Sequence, residues 1–195
     1  VAAVVYVATA MAGAGHVRHT GRGDLVSGAI ERDAAARKAA LPLLQQVSGW
    51  FERAAVGCPV SDNVEGELWA KLLINCAYNA ISALGRARYR RIGAHALALG
   101  VMKEAVAEVI AVAGAAGVRL PAGDLVETAV AISRSMAGAT SSTAQDLARG
   151  KRTEIDHLNG YVVRRGDALR VPVPVNRTLH ALVRLLEEAE PDEAR

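Results

Sequence analysis

The first seven residues, VAAVVYV, are apolar and rich in β-branched side chains, which predicts a buried strand. Gly13, Gly15, Gly21 and Gly23 then punctuate two short segments, His16–Thr20 and Asp24–Ile30, read as a hairpin or two edge strands. From Glu31 to Ala55 the apolar residues Leu41, Leu44, Val47, Phe51 and Ala55 recur near helical spacing, with Pro42 a break in the first half. Cys58–Ser61 is short enough for one final strand.

Past Asp62 the pattern changes, and no strand is expected in the helical core that follows. Val64–Leu84 reads as one long apolar helix, Ile92–Gly114 as a second, and Pro121–Ala148 as one or two more. Thr153 and Asp156, three apart, resemble a helix start, and that helix runs to about Leu169. Pro172 and Pro174 break the chain, and Asn176 is expected to cap a last helix reaching Glu190. The charged tail Glu187–Arg195 is expected to fray. The fold class is therefore an α+β fragment: a mixed piece, residues 1–61, ahead of an all-helical domain, residues 62–195.

Composition agrees with a packed core: 51% of the 195 residues are hydrophobic, and mean hydropathy is +0.17. Ala, Val, Leu and Gly dominate over aromatics, so helices can approach closely. A net charge of +3 argues against a nucleic-acid partner. The apolar start Val1–Gly15 is too short to span a bilayer, which takes about 20 residues, and lacks a basic flank. A soluble cytoplasmic protein with no membrane partner is the expectation. Two cysteines make neither a disulfide framework nor a zinc site. Trp50 and Trp69 are read as core or domain-interface residues, and Arg86, Arg88, Arg90 and Arg91 with Tyr89 as a solvated helix end.

Candidate chemistry lies on the first long helix. Lys71, Asn75 and Asn79 are spaced i, i+4, i+8 and project from one face, while Leu68, Leu72, Leu73 and Cys76 occupy the others. A helix apolar nearly all round is expected to be buried, so its lysine and amides need partners. They form a structural hydrogen-bond network, a stripe facing solvent, or the wall of a site for a small polar ligand, where a desolvated lysine serves as a general acid. A second polar cluster runs from Thr140 to Asp146 and on through Gly150–Asp156. Its hydroxyls and amides suit helix capping, or the holding of a carboxylate.

Three strings in order, KLLINCAYN, SSTAQDLARGKRTEIDHLNGYVV and VPVPVNRTL, with GHVRHTGRG ahead of them, resemble the ketopantoate reductase family from Val1 to about Leu186. The resemblance implies the last strands and helix of a Rossmann-type domain followed by the family's helical domain. It implies NADPH-dependent reduction of ketopantoate to pantoate, on the route to pantothenate and coenzyme A. Lys71 would be the general acid, Asn75, Asn79 and Ser142 would bind the substrate, and Glu154 would orient ligands across the domain cleft, the cofactor included. Ala10 would line the nicotinamide side. Departures are Ala80 in place of the family's proline, Arg86–Tyr89 in place of a Pro-Asn-Gly segment, Ala139 in place of an asparagine, and Thr-Ala after Ser142.

No strand is followed by GxGxxG; Ala12-Gly13-Ala14-Gly15 leads into another extended segment. The expectation is a chain lacking the front of the dinucleotide-binding domain, weak toward NADPH alone and prone to homo-oligomers through an unpaired strand edge. The alternatives are a reductase of another 2-oxo acid and a non-catalytic helical dimerisation or binding remnant.

Overall fold

A computed structural model describes residues 1–30 and 33–188, except for the side chains of Ala10 and Thr20. The chain forms two compact units, Val1–Leu68 and the remainder from Trp69.

The first unit opens with two long strands, β1 (Ala2–Gly13) and β2 (His16–Gly28), paired antiparallel from Ala2↔Gly28 to Gly13↔His16. The glycine pair at the end of β1 is thus a hairpin turn, with Gly15 at φ 70°. The two short segments expected after it are one continuous strand. Gly21 and Gly23 do not end it because an irregularity between Val7 and Thr9 absorbs the extra residues. A Cβ on Gly21 would sit 2.9 Å from that of Ala8, so glycine permits this close approach. Nor is the first strand buried throughout. Val4 is 1% exposed, but Val5 and Val7 are 41% and 50% exposed, the alternation of a sheet covered on one face only.

Helix α1 (Ala34–Arg53) follows, its first turn capped by Asp33, which accepts from the Ala36 N–H at 2.8 Å. Pro42 lies inside α1 without breaking it. The chain then returns to β3 (Val60–Ser61), parallel to β2. Parallel strands joined through a helix make a βαβ unit, as expected of a Rossmann-type end. Gly28 permits the close fit beside β3, since a Cβ there would lie 2.6 Å from that of Val64. Trp50 is 51% exposed and belongs to no core, because α1 buries only the side of Leu44 and Ser48. The Glu31 start of the expected helix lies outside the described residues.

Helix α2 (Val64–Leu84) has the predicted bounds. From Cys76 to Ala83 every residue is buried, the polar Asn79 and Ser82 included, as a helix apolar nearly all round demands. The single helix expected over Ile92–Gly114 is two, α3 (Tyr89–Ala94) and α4 (Ala96–Ala115). They part at His95, whose Nδ1 accepts from the Ala98 N–H and caps α4. Along α4, Met102, Ala105, Val106, Val109, Val112 and Ala113 are fully buried at helical spacing. α5 (Leu125–Ser135) and α6 (Ser142–Ala148) complete the middle.

Thr153–Asp156 opens only a 3₁₀ turn, Ile155–His157, ahead of α7 (Asn159–Leu169). The last helix, α8 (Pro174–Glu188), starts two residues before the expected cap. Pro174 occupies its first position, where no donor is needed. The capping group comes instead from α4: the Glu108 carboxylate accepts from the N–H groups of Val175 and Asn176 at 2.8 and 2.9 Å. Asn176, fully buried, bonds the Ala105 carbonyl, Glu108 and Asn159. Glu190 and the rest of the tail from Ala189 lie outside the described residues, but Glu187 does not fray: its side chain is 5% exposed. No strand occurs after Val64, and no helix is long and apolar enough to cross a membrane, among the described residues.

Candidate functional site

The site is built on α2. Four residues of helix rise about 6 Å, so Lys71, Asn75 and Asn79 form a row with one polar group per turn. Burial deepens along it: Lys71 and Asn75 are half-buried, and Asn79 is 3% exposed. The row therefore lies between the two readings of a buried network and a stripe facing solvent. Only the later half of α2 is packed on all sides, while the face at Lys71 and Asn75 keeps access to solvent.

At its deep end the row meets the start of α6. The Asn79 side-chain N–H₂ donates to the Ser142 hydroxyl at 3.3 Å, across 63 residues of sequence. Ser142 is exposed, and its oxygen accepts from Asn79, which leaves the hydroxyl proton for a ligand. Beside it, Ser141 is 1% exposed and works in two directions. Its hydroxyl donates to the Asn79 carbonyl at 3.1 Å and accepts from the Ala144 N–H at 3.1 Å, capping α6. The Ser141 N–H in turn donates to Ser82 on α2, whose hydroxyl donates to the Ala87 carbonyl.

Ser82 is the member of this network that the sequence reading missed, whereas Ser141 belongs to the polar cluster read as suited to capping and does cap α6. The signal was present: Ser82 lies three residues after Asn79, on the same side of the helix. The effect of Ser82 and Ser141 is to fix both ends of the Asn79–Ser142 contact. The Asn79 amide and the Ser142 hydroxyl are thereby held by partners deeper in the fold.

The other expected site residues stand apart from this network. Glu154 is exposed at the start of the 3₁₀ turn, and its side chain makes none of the described hydrogen bonds. Ala10 pairs through its backbone with Arg18 in the hairpin, and its side chain is outside the described residues. Tyr89, grouped with the arginine cluster, is buried and stacks on Tyr78 at 4.2 Å, so it offers no face to a base. Burial and the neighbouring Tyr78 push its hydroxyl up to about 12. Arg88 of that cluster donates to the Gly138 carbonyl. Cys76 is fully buried, and desolvation holds its thiol well above the usual range, which removes it as a nucleophile.

The first unit carries a second charged group. Tyr6 donates to Glu67 at 3.1 Å, and Arg22 lies 4.0 Å over the Tyr6 ring while paired with Asp24. Burial first, then the Glu67 hydrogen bond, pushes the Tyr6 hydroxyl up to about 12.

Comparison with known proteins gives consistent matches. Residues 63–187 match the family model described as ketopantoate reductase PanE/ApbA C terminal. The chain is 38% identical over 137 residues to the 2-dehydropantoate 2-reductase of Pyrobaculum aerophilum, covering 70% of this chain and 49% of that protein. Over 173 residues it is 34% identical to the Halobacterium salinarum enzyme of the same name, covering 89% and 55%. In three dimensions it resembles a PanE/ApbA family ketopantoate reductase from Ralstonia eutropha, with TM-score 0.83 and 52% identity, over 95% of this chain and 58% of that one. The chain spans about half the length of the curated relatives it matches.

Proposed function

The chain belongs to the ketopantoate reductase family, and we propose that it supplies the substrate-binding and proton-donating side of a reductase of a small 2-oxo acid. Ketopantoate is the substrate suggested by the name its relatives carry. The observation that carries the reading is the polar row of α2 ending in the Asn79–Ser142 hydrogen bond, with both partners held from behind by Ser141 and Ser82. Residues 1–61 form the last part of a dinucleotide-binding domain in this reading, and residues 62–195 the helical domain.

Reduction of a ketone needs a hydride at carbon and a proton at oxygen. This chain's part is the proton. Lys71 stands at the open end of the row, where an ammonium can donate to the ketone oxygen and stabilise the developing alkoxide. Asn75 and Asn79 donate to the polar atoms of the acid, and Ser142 donates to its carboxylate. Glu154 orients the bound ligand.

The family's reductant is NADPH, and the residues present do not fit its pyrophosphate. The Ala12–Gly15 glycines form a hairpin turn between two strands, with no helix amino terminus behind them. The 195 residues alone are therefore expected to bind NADPH weakly. Tight binding in a fluorescence titration would overturn that expectation.

The direct test is calorimetric titration of the chain with ketopantoate. Lys71→Ala and Asn79→Ala are expected each to weaken binding by about tenfold or more, the loss of one charge-assisted or buried hydrogen bond. Equal affinity in all three proteins would sink the assignment of the row. Ala80 and Ala139 stand where the family's proline and asparagine are expected, which favours a second reading in which another 2-oxo acid is the better ligand. The same titration with a panel of 2-oxo acids decides between them.

A further inference from the structure

The charged run that begins at Glu187 suggests a fraying tail, yet the Glu187 side chain is only 5% exposed. A buried carboxylate costs free energy unless strong donors meet it. Here one oxygen accepts from the Thr153 backbone N–H at 2.6 Å and the other from Arg184 at 2.8 Å.

Two turns earlier on α8, His180 meets Asp156, with Nε2 2.7 Å from the carboxylate. Arg184 lies 3.7 Å from the same carboxylate, and Arg152 3.3 Å from it. The His180 ring also lies against Gly160, where a Cβ would come within 2.8 Å of Nε2. The glycine lets α7 and α8 close on each other at that point.

Thr153 and Asp156 flank Glu154 on its two sides. Each is held by α8, while the Glu154 side chain is exposed and makes no described hydrogen bond. The Glu154 carbonyl also accepts from the N–H groups of His157 and Leu158. The backbone of this residue is thus fixed on both sides and its side chain left available. Fixing a main-chain segment in advance removes an ordering cost that a ligand would otherwise bear.

We infer that Glu187 and His180 of α8 are positioning residues for Glu154, setting the backbone from which it meets its ligand. The inference rests on the reading of Glu154 as a ligand-contacting residue. α8 therefore has a duty besides packing, and the polar residues at its carboxy-terminal end are part of the site's support.

The test is a double-mutant cycle on the full chain, with ketopantoate as probe in calorimetric titration. Glu187→Ala is expected to weaken binding by about three- to tenfold, the size of coupling carried through one neighbour. Glu187→Gln should recover most of that, because its amide oxygen still accepts from the Thr153 N–H. In a Glu154→Ala background, Glu187→Ala should cost nothing more. The same loss in both backgrounds, or no loss in either, overturns the inference while the reading of Glu154 stands. If Glu154→Ala alone leaves affinity unchanged, or the parent chain binds no ketopantoate, the reading of Glu154 fails and the inference falls with it. A second measurement reads the tether directly. Trypsin should cut after Lys151 and Arg152 faster in Glu187→Ala than in the parent chain at equal helicity. An unchanged rate overturns the tether.

Discussion

The two units of this chain bury their apolar residues to very different degrees. In the helical unit α4 shows six side chains with no exposed surface, and Trp69, Tyr78, Ile155 and Val183 join the same core. In the first unit, Val5, Val7, Met11 and Val17 all stand more than 40% exposed along the hairpin. The hydrophobic composition of the whole chain hides this contrast. An apolar residue contributes stability only in proportion to the surface it removes from water, so the same residue type carries different weight in the two places. Stability is therefore expected to reside in the helices, and association in the strands.

Methionine gives the sharpest way to break that comparison, because Met102 stands in one region and Met11 in the other. Met102 is fully buried on α4, and Met102→Ala is expected to cost about 2–5 kcal/mol, transfer and cavity together. Met11 on the hairpin is 55% exposed, and Met11→Ala is expected to stay within about 0.5 kcal/mol. Urea unfolding followed by circular dichroism measures both. Similar losses would mean that the hairpin is packed in solution against something that covers it.

A smaller effect separates two ways of capping a helix. Glu108 reaches from α4 to hold two backbone donors and the Asn176 amide at the start of α8. Glu108→Ala strands those donors and is expected to cost about 2–3 kcal/mol. Asp33 caps α1 from the adjacent position, and Asp33→Ala is expected to cost about 1 kcal/mol. A reversed order in the same unfolding experiment would show that the Glu108 contacts are replaced by water. Smaller again, Val7→Thr on the edge strand β1 should leave stability within about 0.5 kcal/mol while reducing any self-association seen by light scattering. Undiminished association would place the contact elsewhere.

How much of this was legible in the sequence follows the same division. The bounds of α2 could be read because its apolar residues recur over a length that only a helix fits, and the row of Lys71, Asn75 and Asn79 follows from helical spacing alone. The continuity of β2 could not, because Gly21 and Gly23 serve a strand irregularity that looks like two turns. The break at His95 was hidden, since histidine is an uncommon cap and the apolar period runs on across it. Asn176 carries the residue type of a cap, but the carboxylate that does the capping is 68 positions away. Glu187 looked like part of a solvated charge run for the same reason: its partner is Thr153, 34 positions back. Asn79 and Ser142 were both named, yet their mutual bond and its Ser82–Ser141 support depend on tertiary contact, which no local pattern records.

The last contrast is between two carboxylates. In the first unit the paired Arg22 guanidinium holds Asp24 below the usual range. In the helical unit His180 first, with Arg184 and Arg152, does the same to Asp156. A carboxyl that is more acidic when folded than unfolded favours the folded state wherever it is ionised in both. That contribution is complete above the unfolded value of about 3.9 and disappears as pH falls through the lower folded value. Asp156→Asn should therefore lower the urea midpoint at neutral pH, with the deficit closing in acid. Asp24→Asn should behave in the same sense but more weakly, since it answers to one arginine on an open hairpin, where solvent screens the pair. A deficit for Asp156→Asn that persists unchanged into acid would mean that its hydrogen bonds, and not its charge, hold the segment before α7.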